Sequence, residues 1–256
     1  FFSRAAALLL VLAMALSVCA FPALALDEPF KIVDNLYREE TGLRIKLSYA
    51  VADPDTAFTV TGPEGVIAIK SVTADNGTSN IYTIVFEKPL DLKFEYTITC
   101  NGQTARLNAP SYYSTEEFER LYTYDGNDLG ATWTKDKTTF RLWAPTATAV
   151  SINLYTSGTT GTDDLIEQIP MTADVKGTWI AEKPGDQNGV YYTYSVTVDG
   201  KTNEACDPYA RATGVNGLRA MIIDLASTNP EGWDTDKDPH YNEGINDAII
   251  YELHVR

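Results

Sequence analysis

Val190-Tyr-Tyr-Thr-Tyr-Ser-Val-Thr-Val-Asp-Gly200 decides the fold. Val190, Tyr192, Tyr194, Val196 and Val198 lie on one side of a long strand, and Asp199-Gly200 closes it with turn chemistry. Working outward from it, Phe140, Leu142 and Ala144 form one strand face, and Val150, Ile152 and Leu154 form another after a Pro-Thr turn. Further upstream, Phe94, Tyr96, Ile98 and Cys100 alternate with Glu95, Thr97 and Thr99, and Asn101-Gly102 supplies a favoured two-residue hairpin turn. Ile81 to Phe86 reads as a strand, as does the alternation of Leu43, Ile45, Leu47 and Tyr49 with Arg44, Lys46 and Ser48. Short strands punctuated by Pro, Gly, Asp and Asn predict an all-β chain built from two tandem immunoglobulin-like β-sandwiches.

The boundaries follow from breaks in this pattern. Ser114-Thr-Glu-Glu117 is a capping box, with Phe118, Leu121 and Tyr122 at helical spacing behind it. A linker helix is therefore expected over 114–123, between an N-terminal sandwich over 26–113 and a second sandwich over 124–228. At the front, Arg4 precedes an apolar run from Ala5 to Ala20, and Ala23-Leu-Ala25 has the small-x-small pattern of a signal-peptidase site. Residues 1–25 are read as a signal peptide, and the protein as secreted or held at the cell surface. Leu16-Ser-Val-Cys19 resembles a lipoprotein box, but Val18 stands where a small residue belongs, so anchoring at Cys19 is the lesser alternative.

Composition bounds the partners. The 256 residues are 44% hydrophobic and 21% charged, as in an ordinary globular chain. A net charge of −15 argues against nucleic acid, itself a polyanion. Cys100 and Cys206 are far apart, and neither is near a His or another Cys at metal-ligand spacing. Asp234-Thr-Asp-Lys-Asp238 starts like a calcium loop, but Pro239 occupies the position that needs Gly and Ile245 the place of the bidentate Glu. The sequence shows no metal site.

The final residues, Ala248-Ile-Ile-Tyr-Glu-Leu-His-Val-Arg256, are apolar enough for a strand buried on both faces. Such a strand needs neighbours on each side for its backbone donors and acceptors. Residues 229–256 are accordingly expected to be a linker and the first strand of a further domain, the chain being the front end of a larger protein.

Several motifs carry a family resemblance, and they occur in order. Tyr124-Asp-Gly-Asn-Asp-Leu-Gly130 comes first, then Thr139-Phe-Arg-Leu-Trp-Ala-Pro-Thr-Ala-Thr148 and Gly189-Val-Tyr-Tyr-Thr-Tyr194. Asp207-Pro-Tyr-Ala-Arg-Ala212, Asn216-Gly-Leu-Arg-Ala-Met-Ile-Ile-Asp-Leu225, Asn229-Pro-Glu-Gly-Trp233 and the terminal Ile249–Arg256 complete the series. The set resembles a family-48 carbohydrate-binding module running into the barrel of type I pullulanases, within glycoside hydrolase family 13. The resemblance covers about half the chain strongly, and the first sandwich fits only loosely.

The resemblance implies that residues 229–256 lead into the first strand of a truncated (β/α)8 barrel, which cleaves α-1,6 branch points of pullulan, starch or glycogen with retention of configuration. That chemistry needs a nucleophilic carboxylate and an acid/base carboxyl at close spacing, projecting from the C-terminal ends of barrel strands. The family places those residues beyond Arg256, so no catalytic residue is expected in this chain, which alone should be inactive. Glu252 and His254 share a parity in the terminal strand, but the family pattern makes that strand scaffold. No cofactor is required, and calcium in the full-length enzyme stays open. The implied partners are an α-glucan and the chain's own catalytic barrel.

Trp143 and Trp179 are the candidate carbohydrate-binding residues, because indoles stack on the apolar C–H faces of sugar rings. The competing reading has both filling the sandwich core or the contact with the barrel. A different class of function also remains: a non-catalytic glucan-binding or scaffold protein carrying the same module. Isoamylase- and branching-type enzymes are the alternatives within the enzyme class.

Overall fold

The computed structural model describes residues 29–75, 80–161, 163–237 and 244–254. The signal-peptide segment with Cys19 lies outside the described residues. Apart from the turns 144–148 and 198–201, the chain divides into two compact units, with the boundary between Asp125 and Gly126.

The first unit holds strands β1 (Ile32–Glu39), β2 (Gly42–Leu47), β3 (Phe58–Gly62), β4 (Gly65–Ile67), β5 (Ile69–Ala74), β6 (Ile81–Phe86), β7 (Thr97–Cys100) and β8 (Gln103–Arg106). They form two sheets of order β1-β2-β6-β5 and β4-β3-β7-β8. Alternation decides which residues point inward. Leu43, Ile45 and Leu47 of β2 and Tyr82, Ile84 and Phe86 of β6 are buried, and they share one core with Phe58, Val60, Ile98 and Cys100 from the second sheet. Each such apolar side chain, taken fully out of water, contributes about 1.5–3 kcal/mol. Cys100 and Cys206 are both free thiols.

The two hairpin turns read from the sequence have the backbone they require. Asn101 and Gly102 sit at φ 45° and 75°, and Asp199 and Gly200 at 50° and 72°, so both central residues of each turn are left-handed. Phe94 departs from the expected strand. Its N–H donates to the Asp91 carbonyl at 3.1 Å, closing a turn ahead of the strand, which begins only at Thr97. Its side chain is exposed as a result.

The helix covers Glu116–Tyr122 and is capped by Thr115, whose hydroxyl accepts from the Phe118 N–H at 3.2 Å. The expected Ser114–Glu117 box is therefore displaced by one residue. Glu117 instead accepts from the backbone N–H of Glu40 at 2.8 Å, and Tyr122 donates to Glu40 Oε1 at 3.0 Å. Phe118 is buried against Tyr112 and Tyr122, which makes the helix part of the first unit's core.

The second unit holds β9 (Gly130–Trp133), β10 (Lys137–Trp143), β11 (Ala149–Tyr155), β12 (Leu165–Pro170), β13 (Thr172–Ala173), β14 (Thr178–Pro184), β15 (Tyr191–Val198), β16 (Lys201–Ala205) and β17 (Ala220–Met221). One sheet runs β13-β14-β10-β9 and the other β12-β11-β15-β16, with β17 also on β15. Phe140 from the first sheet meets Tyr192 from the second edge-on, with centroids 5.3 Å apart, and Val150, Ile152, Leu154 and Tyr194 are buried beside them.

The terminal run differs from expectation. Residues 248–254 belong to no strand, and Ile249 and Ile250 are 96% and 88% exposed. A strand exists only by pairing, and among the described residues none pairs with this one.

Candidate functional site

The register of β10 against β14 sorts the two indoles. Trp143 lies opposite Thr178, and Leu142 lies opposite Trp179. These are successive pairs on antiparallel strands, so their side chains emerge on opposite faces of the sheet. Trp179 shares the inner face with Leu142 and is 8% exposed, whereas Trp143 is on the outer face and 38% exposed. The two cannot form one platform. Trp179 is therefore corrected from a sugar-stacking residue to a core residue, because its ring has no free face to offer. The face of Trp143 was readable in sequence, since Phe140, Leu142 and Ala144 set the inner face and Trp143 falls between the last two.

Two residues before Trp143, on the same outer face, stands an arginine that spacing alone did not single out. The side chain of Arg141 is only 11% exposed. Its Nε donates to Asp128 at 2.9 Å, and its Nη1 donates to Asp174 at 2.6 Å and to the Thr178 hydroxyl at 2.9 Å. Hydrogen bonding by Arg141, aided by the Val175 N–H, holds the Asp174 carboxyl below the usual carboxylate range. Both aspartates remain partly exposed, at 39% and 34% of their side chains. The outer face thus combines an indole with two carboxyl acceptors fixed by a guanidinium, which suits a neutral polyhydroxylated ligand. Asp128 lies within the Tyr124–Gly130 motif, but its pairing with a residue 13 positions away was not visible there.

The second sheet carries another polar network. Arg219 is buried, lies 3.6 Å over the Tyr155 ring and donates to Asp164 at 2.9 Å and to the Ser157 carbonyl at 2.7 Å. Burial alone would raise the Glu204 carboxyl, but hydrogen bonds from Thr193 and Tyr155 and the charge of Arg219 outweigh it and hold it low. Asp207 heads the Asp-Pro-Tyr-Ala-Arg motif. It is buried, accepts from Tyr192 at 2.6 Å and from the Tyr209 N–H at 2.8 Å, and is pushed upward by desolvation. These bonds tie the Ser157 and Asp164 segment and the Asp207 turn to the second sheet. Among the described residues no group of three or more His, Cys, Asp or Glu could hold a metal.

Comparison with known proteins places this geometry. Residues 128–210 match the model of carbohydrate-binding module 48, the isoamylase N-terminal domain. A chloroplastic pullulanase of Arabidopsis thaliana is 37% identical over 188 residues, covering 67% of this chain and 19% of that protein. A pullulanase of Anoxybacillus sp. LM18-11 superposes with a TM-score of 0.56 at 32% identity, covering 77% of this chain and 28% of that one. A structure of the same enzyme complexed with maltotetraose gives 0.55 at 30% identity.

An all-β chain with a family-48 carbohydrate-binding module is thus defined by fold and motif together. It is homologous to the N-terminal, non-catalytic region of pullulanases, and it spans between 12% and 23% of the length of the curated relatives it matches.

Proposed function

We propose that this chain is the front end of a secreted pullulanase-type enzyme that hydrolyses α-1,6-glucosidic branch points in pullulan, starch or glycogen. In this reading residues 1–25 direct export, the two sandwiches position the catalytic barrel, and the second sandwich contacts α-glucan weakly through Trp143. The observation that carries the glucan contact is the half-exposed indole of Trp143 beside the Arg141-held carboxylates, inside the segment that matches the carbohydrate-binding family. The exposed apolar run from Ile249 to Leu253 supports a further role as a strand that pairs with barrel partners. Catalysis then belongs to carboxylates of that barrel.

Affinity electrophoresis through amylopectin tests the glucan contact. The chain should be retarded, and Trp143→Ala should abolish most of the retardation with the melting temperature unchanged. Full retention by the variant, or none by the parent chain, would remove Trp143 from the function.

A further inference from the structure

Asparagine is followed by glycine at Asn76, Asn101, Asn188 and Asn216. In such a pair the backbone nitrogen of the glycine can attack the side-chain amide carbon of the asparagine, because glycine has no Cβ to obstruct the approach. In a folded chain two contacts oppose that attack: one that holds the side-chain amide, and one that already engages the glycine N–H. Asn76 lies outside the described residues, and the other three pairs differ in both respects.

Asn188 is held twice. Its Oδ1 accepts from the Asp224 N–H at 2.8 Å, and the Gly189 N–H donates to the Ile222 carbonyl at 2.8 Å. Asn216 is held once, through the Gly217 N–H on the Gly214 carbonyl at 3.2 Å. Asn101 sits exposed at the tip of the β7–β8 hairpin, between the paired residues Cys100 and Gln103. Among the described residues, none bonds to its side-chain amide or to the Gly102 N–H. The attack requires the backbone between Asn101 and Gly102 to rotate out of its left-handed turn. A Cβ built on Gly102 meets no atom within 4 Å, so that rotation is unobstructed. Only the hairpin tip has to open, and such tips belong to the least stable parts of a fold.

We propose that Asn101 is a site of spontaneous deamidation, selected by the fold over Asn188 and Asn216. The Gly102 backbone nitrogen forms a bond to Asn101 Cγ, the Cγ–Nδ2 bond breaks, and Nδ2 leaves as ammonia with the proton given up by Gly102. Water then opens the resulting five-membered imide at one of its two carbonyl carbons, leaving aspartate or isoaspartate. No oxidant or reductant takes part. The product carries one more negative charge, and as isoaspartate it adds a backbone carbon to a turn of only two residues.

The full chain held at mildly alkaline pH and digested with trypsin at intervals tests this, because the four Asn-Gly pairs fall in four different peptides. By mass spectrometry, the peptide carrying Asn101 should exchange amide for carboxyl at least about tenfold faster than that carrying Asn188, where two hydrogen bonds must first break. The Asn216 peptide should fall between them, and the Asn101 product should contain isoaspartate. In guanidinium chloride, where the contacts are gone and glycine follows every site, the rates should converge. Equal rates at Asn101 and Asn188 in the folded chain would overturn the proposal. So would a ratio that persists in denaturant, which would belong to the neighbouring sequence, or a product free of isoaspartate, which would exclude the cyclic step.

Discussion

Replacing Arg219 with Met is the severest single test of how the second unit is held together. The Arg219 and Asp164 side chains are 6% and 11% exposed and pair at 2.9 Å. The same guanidinium stacks on Tyr155 and donates to the Ser157 carbonyl, so one side chain fastens the 156–164 loop to the sheet. Methionine keeps the length but leaves Asp164 charged, buried and without its cation. Breaking a buried pair from one side costs about 3–5 kcal/mol. For a domain of about 100 residues each kcal/mol moves the midpoint by roughly 4–8 °C, so the fall should be at least about 12 °C. Calorimetry of the full chain should show the transition of the second unit dropping while that of the first stays. Asp164→Asn in the Arg219→Met background should recover part of the loss, because the stranded charge is gone. Lys137→Ala, which breaks a half-exposed pair with Glu182, should leave the transition close to that of the parent, because solvent screens such a pair. An Arg219→Met transition within about 4 °C of the parent would refute the reasoning.

Other substitutions probe separate parts of the structure. Trp179→Ala should destabilise the second unit by about 3–5 kcal/mol in a denaturant titration, as expected for a large core side chain; a loss below 1 kcal/mol would return Trp179 to the surface. Gly214→Ala places a Cβ 2.4 Å from the Gly158 carbonyl oxygen, backbone against backbone, and should cost about 1–3 kcal/mol in the same titration. Asp207 has its folded pKa raised by burial, so the folded state binds more protons than the unfolded one between the ordinary Asp range and the raised value. Its contribution to stability therefore grows as pH falls through that window. Asp207→Asn removes this gain, so the melting temperature of the variant, measured from pH 7 down to pH 4, should fall more steeply than that of the parent.

Much of the fold was legible because its signals are local. The β6 strand was read with its observed bounds, Ile81–Phe86, because alternation and flanking turn residues agree there. Asn101-Gly102 and Asp199-Gly200 name their own turn type. The helix start shifted to Thr115 because Ser114 and Thr115 are both capping residues, and the contact between Glu117 and Glu40, 77 positions apart, settles the choice. The Arg141 site escaped for the same reason: its partners Asp128 and Asp174 meet it only through the register of β9, β10 and β14. β14 itself, Thr178–Pro184, was not read as a strand, and without it Trp179 could not be assigned a face. The terminal run was read from its apolar content and its place in the family motifs, neither of which supplies a pairing partner.

The most direct measurement is release of reducing ends from pullulan, comparing this chain alone with the whole product of its gene. The whole product is expected to cleave pullulan at its α-1,6 bonds, and this chain is expected to release nothing. Cleavage by the chain alone would contradict the non-catalytic assignment, and an inactive whole product would contradict the debranching assignment.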